Sequence, residues 1–140
     1  MSTKISFDLP DFSLVVKNAT ASTLQEAGFK VEEEAKKTAP HDSGYYRNNI
    51  EFDGKNKVIA NAEYSAALEY GSKPHIIEPT GGKKALAFQI DGQEIVVKKV
   101  HHPGTKPNPV MRNAAHKVQK QVGGMFYDNF KKDLKKYRVK

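Results

Sequence analysis

The sequence predicts an α+β fold, in which an antiparallel β-sheet of two hairpins plus an N-terminal strand packs against a long N-terminal helix and a C-terminal helix. Two Asp-Gly pairs, Asp53-Gly54 and Asp91-Gly92, each lie between short apolar segments, which is a strong hairpin signal. Apolar residues also recur at helical spacing near both ends of the chain. Consecutive strands flanked by helices are typical of α+β domains.

The N-terminal part begins with alternating apolar and polar residues over 5–9, which predicts a short strand. Pro10 and Asp11 are typical of a helix start, and Pro40 excludes helix beyond residue 39, so we expect one helix to about Lys37. Gly28 in its interior costs about 1 kcal/mol relative to Ala, which indicates a close packing partner. The expected buried face consists of Leu14, Ala21, Leu24, Ala27 or Gly28, Val31 and Ala35.

The middle of the chain predicts short elements joined by turns. Asp42 or Ser43 is expected to cap a turn over 45–48, and residues 64–70 predict a short helix that stops at Gly71. The first hairpin is expected to pair 50–52 with 57–61, and the second to pair 85–90 with 95–100.

The segment after Pro107 predicts the second long helix, because apolar residues recur every four positions. Gly123-Gly124 is expected to introduce a kink or a joint. The whole chain, residues 1–140, is expected to form a single domain that ends in a basic, frayed tail over 131–140. The helical stripe consists of Val110, Ala114, Val118, Val122, Phe126, Phe130 and Leu134.

Composition limits the classes of protein to consider. The chain has no cysteine, which excludes disulfides and thiolate chemistry, and it lacks both an apolar segment of spanning length and a signal peptide. With 38% hydrophobic residues and no Trp, its core is lean, as in a subunit that completes its burial against neighbours. We therefore expect an intracellular or virion protein with no contact to membranes.

The net charge of +7 is distributed unevenly, with −2 on residues 1–63 and +9 on residues 64–140. A basic half indicates either a polyanionic partner or an acidic protein surface. A solvated helix face with a soluble tail explains the same charge, and we favour that interpretation over a dedicated DNA-binding role.

Candidate chemical sites are few. His75, His101 and His102 have no spacing that places two metal ligands on one helix face, and neighbouring residues of a strand point to opposite sides. His41-Asp42-Ser43 cannot adopt triad geometry as consecutive residues, and the glycines and lysines of 80–84 lack the spacing of a phosphate-binding loop. We expect no catalytic, cofactor or metal site, and hence no enzyme.

Three segments resemble one known family in order and spacing. Residues 37–47, KTAPHDSGYYR, are similar to its A-P-x-[DE]-[ST]-G-x-x-R segment, and residues 64–75, YSAALEYGSKPH, to its Y-A-x-x-V-E-[FY]-G-T segment. Residues 84–88 and 100–112, KALAF and VHHPGTKPNPVMR, resemble its closing K-A-L-x-F and V-x-H-P-G-x-x-P-x-P-F-[ML]-R segments. The family is that of the minor tail components, or tail-completion and head–tail joining proteins, of long-tailed phages and prophages.

The resemblance implies a structural virion protein of the neck or tail, assembled in the host cytoplasm. It implies a ring, most often hexameric, that ends the tail and joins it to the head connector, with tail tube and connector proteins as partners. DNA would pass through the assembly without specific binding. The alternatives are a basic nucleic-acid-binding protein and a metal-dependent hydrolase built on the three histidines.

Rigid loops rich in Gly and Pro are suited to contacts between ring subunits, although they also serve as ordinary fold punctuation. On this basis we predict a subunit or partner interface made of Tyr70, Gly71, Ser72, Lys73, Pro74, His75, His101, His102, Pro103, Gly104, Thr105, Lys106, Pro107 and Pro109.

Overall fold

A computed structural model describes residues 3–5 and 9–137. It confirms the mixed α and β class, with antiparallel strand pairs and long helices near both ends. The helices are α1 (Phe12–Thr38), α2 (Tyr45–Asn48), α3 (Ser65–Tyr70), α4 (Val110–Gln119), α5 (Val122–Leu134) and a 3-10 helix (Lys135–Tyr137). The strands are β1 (Ile50–Phe52), β2 (Val58–Ala60), β3 (His75–Ile77), β4 (Leu86–Ile90), β5 (Gln93–Val97) and β6 (Val100–His102).

These elements form two compact units, and each is described here by itself. The first unit comprises residues 1–62 and 110–140, and the second comprises residues 63–109. The strand predicted over 5–9 falls on residues 6–8, outside the described residues.

Helix α1 is the centre of the first unit and packs mainly against α4 and α5. The Asp11 carboxylate caps its start by accepting from the Leu14 N–H at 3.1 Å, and Ala39 beyond its end is extended because Pro40 follows.

The buried face of α1 differs from the predicted one. Leu14 and Leu24 are 43% and 45% exposed, whereas the buried positions are Val15, Ala19, Thr23, Gly28 and Ala35. Of the predicted face, Gly28 and Ala35 are buried, whereas the two large leucines are not. The fold instead buries small ones, which let neighbouring helices approach closely.

The first hairpin packs against α1 at Gly28. A Cβ placed on Gly28 would lie 2.4 Å from the Phe52 ring, so the close partner expected there is Phe52 of β1. The predicted hairpin between 50–52 and 57–61 forms, with Ile50 opposite Ala60, but a loop of residues 53–57 connects its strands rather than a tight turn at Asp53-Gly54. The Asp53 side chain organises this loop by accepting three backbone N–H groups, those of Lys55, Asn56 and Lys57.

The C-terminal segment forms two helices, and their joint precedes the predicted one. The break falls at residues 120–121, while Gly123 and Gly124 lie in the first turn of α5, where an added Cβ would meet none of the described residues within 4 Å. Val110, Ala114 and Val118 are buried as expected. The break shifts the helical phase, so α5 buries Met125 and leaves Val122 36% exposed.

The second unit contains α3 and two separate strand pairs. The β4–β5 hairpin is confirmed, and its two-residue turn has positive φ at Asp91 (50°) and Gly92 (79°), the geometry that suits strand twist. The strand predicted over 95–100 is in fact divided between β5 and β6. Strand β6 pairs with β3, a pairing that the sequence analysis did not predict.

Candidate assembly surface

The two loops predicted to form an interface lie side by side in the second unit. Ser72 and Thr105 form an antiparallel bridge in which the Ser72 N–H donates to the Thr105 carbonyl (2.9 Å) and the Thr105 N–H donates back (3.0 Å). Beyond the bridge, His75 pairs with His102 and Ile77 with Val100. The structure therefore brings the 70–75 and 101–109 segments together, in a register that no sequence pattern predicted.

Two glycines make this close approach possible. A Cβ on Gly104 would lie 2.4 Å from the Ser72 carbonyl oxygen, and one on Gly71 would lie 2.7 Å from the Thr105 carbonyl oxygen. Both residues also have positive φ, 87° and 77°. Only glycine meets both requirements without strain.

The far end of the loop pair is tied to α3. The Asn108 N–H donates to the Leu68 carbonyl at 2.7 Å, one of the last carbonyls of α3 that has no partner within the helix. Gly71 ends α3 with an extended ψ of 173°, which directs the chain into the bridge. These bonds hold the two loops and the short helix together as one folded element.

The histidines stack across the β3–β6 pair rather than converging on a ligand. The rings of His75 and His102 lie 4.9 Å apart with an interplanar angle of 29°. Nδ1 of His102 accepts from the Gly104 N–H at 3.1 Å, and Nδ1 of His75 lies 2.9 Å from the Lys73 carbonyl oxygen. His101 pairs with Ile76 in the alternate register position, so it faces the opposite side.

All three histidines thus lie in strands, His75 in β3 and His101 and His102 in β6. Within residues 3–5 and 9–137, no group of three His, Asp or Glu side chains is arranged to hold a metal ion. The arrangement supports a shaped surface rather than a reaction centre.

The predicted interface residues are accessible to solvent. None of the fourteen predicted interface residues is buried, and Tyr70 is 70% exposed. Ile76, on β3 between the two loops, is 51% exposed and adds apolar area that the motif-based prediction missed. Ile76 was missed because a strand of three residues is too short to show a recognisable sequence pattern.

Other apolar surfaces lie outside the predicted loops. In the second unit, Phe88, Ile90 and Val96 of the β4–β5 hairpin are 36%, 50% and 61% exposed. In the first unit, an open groove of about 250 Å³ is lined largely by apolar side chains, among them Leu24 and Phe52. The lean composition therefore leaves apolar area on both units.

Comparison with known families gives a match over part of the chain. Residues 5–71 match the family HK97-gp10_like, described as "Bacteriophage HK97-gp10, putative tail-component". Over these residues the chain is similar to a family of phage tail components. The matched region runs from before α1 to Gly71, so it contains the first resembling segment and residues 64–71 of the second, while the third lies beyond it.

The match confirms the resemblance to a tail-component family of tailed phages. No curated protein and no solved structure matches the chain. A structural component of the phage tail is part of the virion, and this role agrees with the expectation that the chain is not an enzyme. Among the described residues, no helix is both long and apolar enough to cross a bilayer.

Proposed function

We propose that this tail component completes the tail as a ring, hexameric in the simplest case, and joins it to the head connector. The tail-component family carried by residues 5–71 is the observation that supports the proposal most directly. The second unit adds the rigid loop pair around Ser72 and Thr105, with exposed apolar side chains beside it. Such exposed area is typical of surfaces that are buried on assembly.

The exposed surfaces of the subunit are also suited to closing a ring. A heterologous contact repeated by rotation joins two different patches of the same subunit and closes when the rotation divides a full turn. The loop pair of one copy would supply one patch of that contact. In the host cytoplasm the subunits would remain apart until they meet the end of a tail.

The test is a phage in which the gene carries an early stop codon. Electron microscopy of the lysate is expected to show filled heads and complete tails that do not join. Adding the purified protein to that lysate should restore infectious particles. Normal titre without the protein, or an absence of tails, would contradict the joining role.

A further inference from the structure

The positive charge of the chain is concentrated in residues 110–140. This segment carries nine basic and two acidic side chains, whereas the remaining residues carry fourteen of each. The net charge of +7 therefore equals the charge of α4, α5 and the segment that follows. So uneven a distribution creates a local field that attracts anions.

Three lysines of α5 and the following 3-10 helix project from the side that faces solvent. Lys131, Lys132 and Lys135 are exposed, whereas Asp133 between them is buried. Lys131 and Lys135 are four residues apart, so they lie on one helix face about 6 Å apart along the axis. These three side chains are called the lysine face below.

The carboxylates nearby do little to neutralise the lysine face. Asp133 accepts hydrogen bonds from Lys136 and from the Asn18 amide, which leaves it turned towards α1. Lys132 and Lys135 form no ion pair with any residue in the described part of the chain, and the Lys131 ammonium lies 5.0 Å over the Tyr127 ring. Asp128 is the one carboxylate on α5 that stays exposed.

We propose that the lysine face binds the phosphate backbone of double-stranded DNA without reading its sequence. Lysines are depleted at the centres of protein–protein interfaces, which depend on aromatic and apolar anchors. Of the aromatic rings near the lysine face, Tyr127 lies beneath Lys131, and Tyr137 follows Lys135 by two residues and is 38% exposed. Flexible point charges without base-reading groups are suited to phosphate contacts. The inference rests on charge and placement, and it stands independently of the proposed joining role.

The experiment measures binding of the full-length protein to a dye-labelled duplex of about 30 base pairs by fluorescence anisotropy between about 50 and 200 mM salt. With three phosphate contacts, the slope of log K against log salt should contain a contribution of about −2.7 from this face. Duplexes of unrelated sequence should bind equally. The triple variant Lys131→Gln, Lys132→Gln, Lys135→Gln should lose at least tenfold in affinity and most of that slope.

A matched control removes the same charge elsewhere. The variant Lys83→Gln, Lys84→Gln, Lys98→Gln changes three exposed lysines of the second unit and should retain most of the affinity. The variant Asp128→Asn should strengthen binding, because it removes the remaining exposed carboxylate of α5. Since this variant is expected to gain affinity, an unfolded protein cannot imitate the result.

Three outcomes would overturn the proposal. The wild type could show no binding at low salt, or both triple variants could lose affinity equally, in which case only net charge matters. Poly-glutamate could also displace the duplex as effectively, per charge, as unlabelled DNA does. That last result would assign the lysine face to an acidic protein surface instead.

Discussion

At the scale of single residues, the paired 70–75 and 101–109 loops depend on Gly104. Its φ of 87° is a conformation that residues with a Cβ rarely adopt, and a Cβ there would lie 2.4 Å from the Ser72 carbonyl oxygen. The neighbouring atom belongs to the backbone, so it cannot rotate away as a side chain would. The β3–β6 pairing and the Ser72–Thr105 bridge therefore require glycine at this position.

We expect Gly104→Ala to destabilise the second unit by about 3 kcal/mol or more, from left-handed strain plus overpacking. Gly82→Ala is the matched control, because Gly82 has a similar φ of 77° but meets no atom within 4 Å. That control should cost about 1–2 kcal/mol. Urea unfolding followed by amide resonances of β3 and β6 measures both, and equal losses would contradict the close approach at Gly104.

Gly28, inside a helix, also has a neighbour too close for a Cβ, but this neighbour is a side chain. Replacement by Ala should gain about 1 kcal/mol of helix propensity, but it forces the Phe52 ring away from its edge contact with Phe29, at a cost of about 1–3 kcal/mol. We expect a net loss of about 1 kcal/mol.

A double-mutant cycle with Phe52→Ala isolates that contact. In the Phe52→Ala background, Gly28→Ala should become neutral or stabilising, because the ring is gone and the propensity gain remains. Free energies of unfolding from urea titrations give the coupling. Additive losses would mean that the cost of alanine arises from another part of the helix.

At the scale of elements, the sequence predicted those whose signals are local. The structure contains the Asp11 cap, the Pro40 stop, the Asp91-Gly92 turn and the four-residue apolar recurrence of α4, each of which depends on neighbouring residues. The Asp53-Gly54 pair also joins two paired strands, but within a five-residue loop. The β3–β6 pair was missed because its two strands have only three residues each and lie far apart in the sequence.

The buried face of α1 was misjudged for a related reason. Helical periodicity shows where apolar residues lie, but it does not show which of two overlapping stripes will meet another helix. The stripe through Ala19 and Thr23 was chosen by the fit to α5, while Leu24 remained 45% exposed. The interface role of the loops cannot be read from one chain, because it depends on a surface that another molecule supplies.

The contribution of the β1–β2 hairpin to stability is expected to depend on pH. Backbone N–H groups of Lys57, Lys55 and Asn56 donate to the Asp53 carboxylate and hold its pKa below the usual value of 3.8. A lowered pKa in the folded state means that Asp53 contributes stability above about pH 4. This contribution is lost as the pH falls through the folded-state pKa.

Asp53→Asn keeps the accepting oxygen but does not titrate. The variant should therefore lose stability less steeply than the wild type between about pH 5 and pH 2. The urea midpoint measured across that range gives the two slopes, with pH 7 as the reference at which the wild-type carboxylate is charged. Superimposable slopes would show that the hydrogen bonds do not favour the charged form.

At the scale of the whole molecule, the chain divides into two units that carry different features. The first unit contains most of the region that matches the tail-component family, together with α4 and the basic α5. The second unit carries the loop pair and an exposed hairpin. A lean core agrees with this division, since apolar residues that would fill a self-sufficient core remain at surfaces instead.

This division predicts that assembly and folding can be separated by mutation. Tyr70 is 70% exposed and Ile76 is 51% exposed, so Tyr70→Ser with Ile76→Thr should change the free energy of unfolding by no more than about 1 kcal/mol. If the loop pair is a subunit contact, the same variant should fail to restore infectivity to a lysate that lacks the protein.

The control is Val96→Thr, at a 61% exposed position of β5 outside the predicted loops, and this variant should restore infectivity. Full rescue by the double variant would move the contact away from the loops, and failure of Val96→Thr alone would transfer it to the β4–β5 hairpin. Plaque titres after mixing, with urea unfolding of each purified variant, distinguish these results because they measure assembly and folding independently.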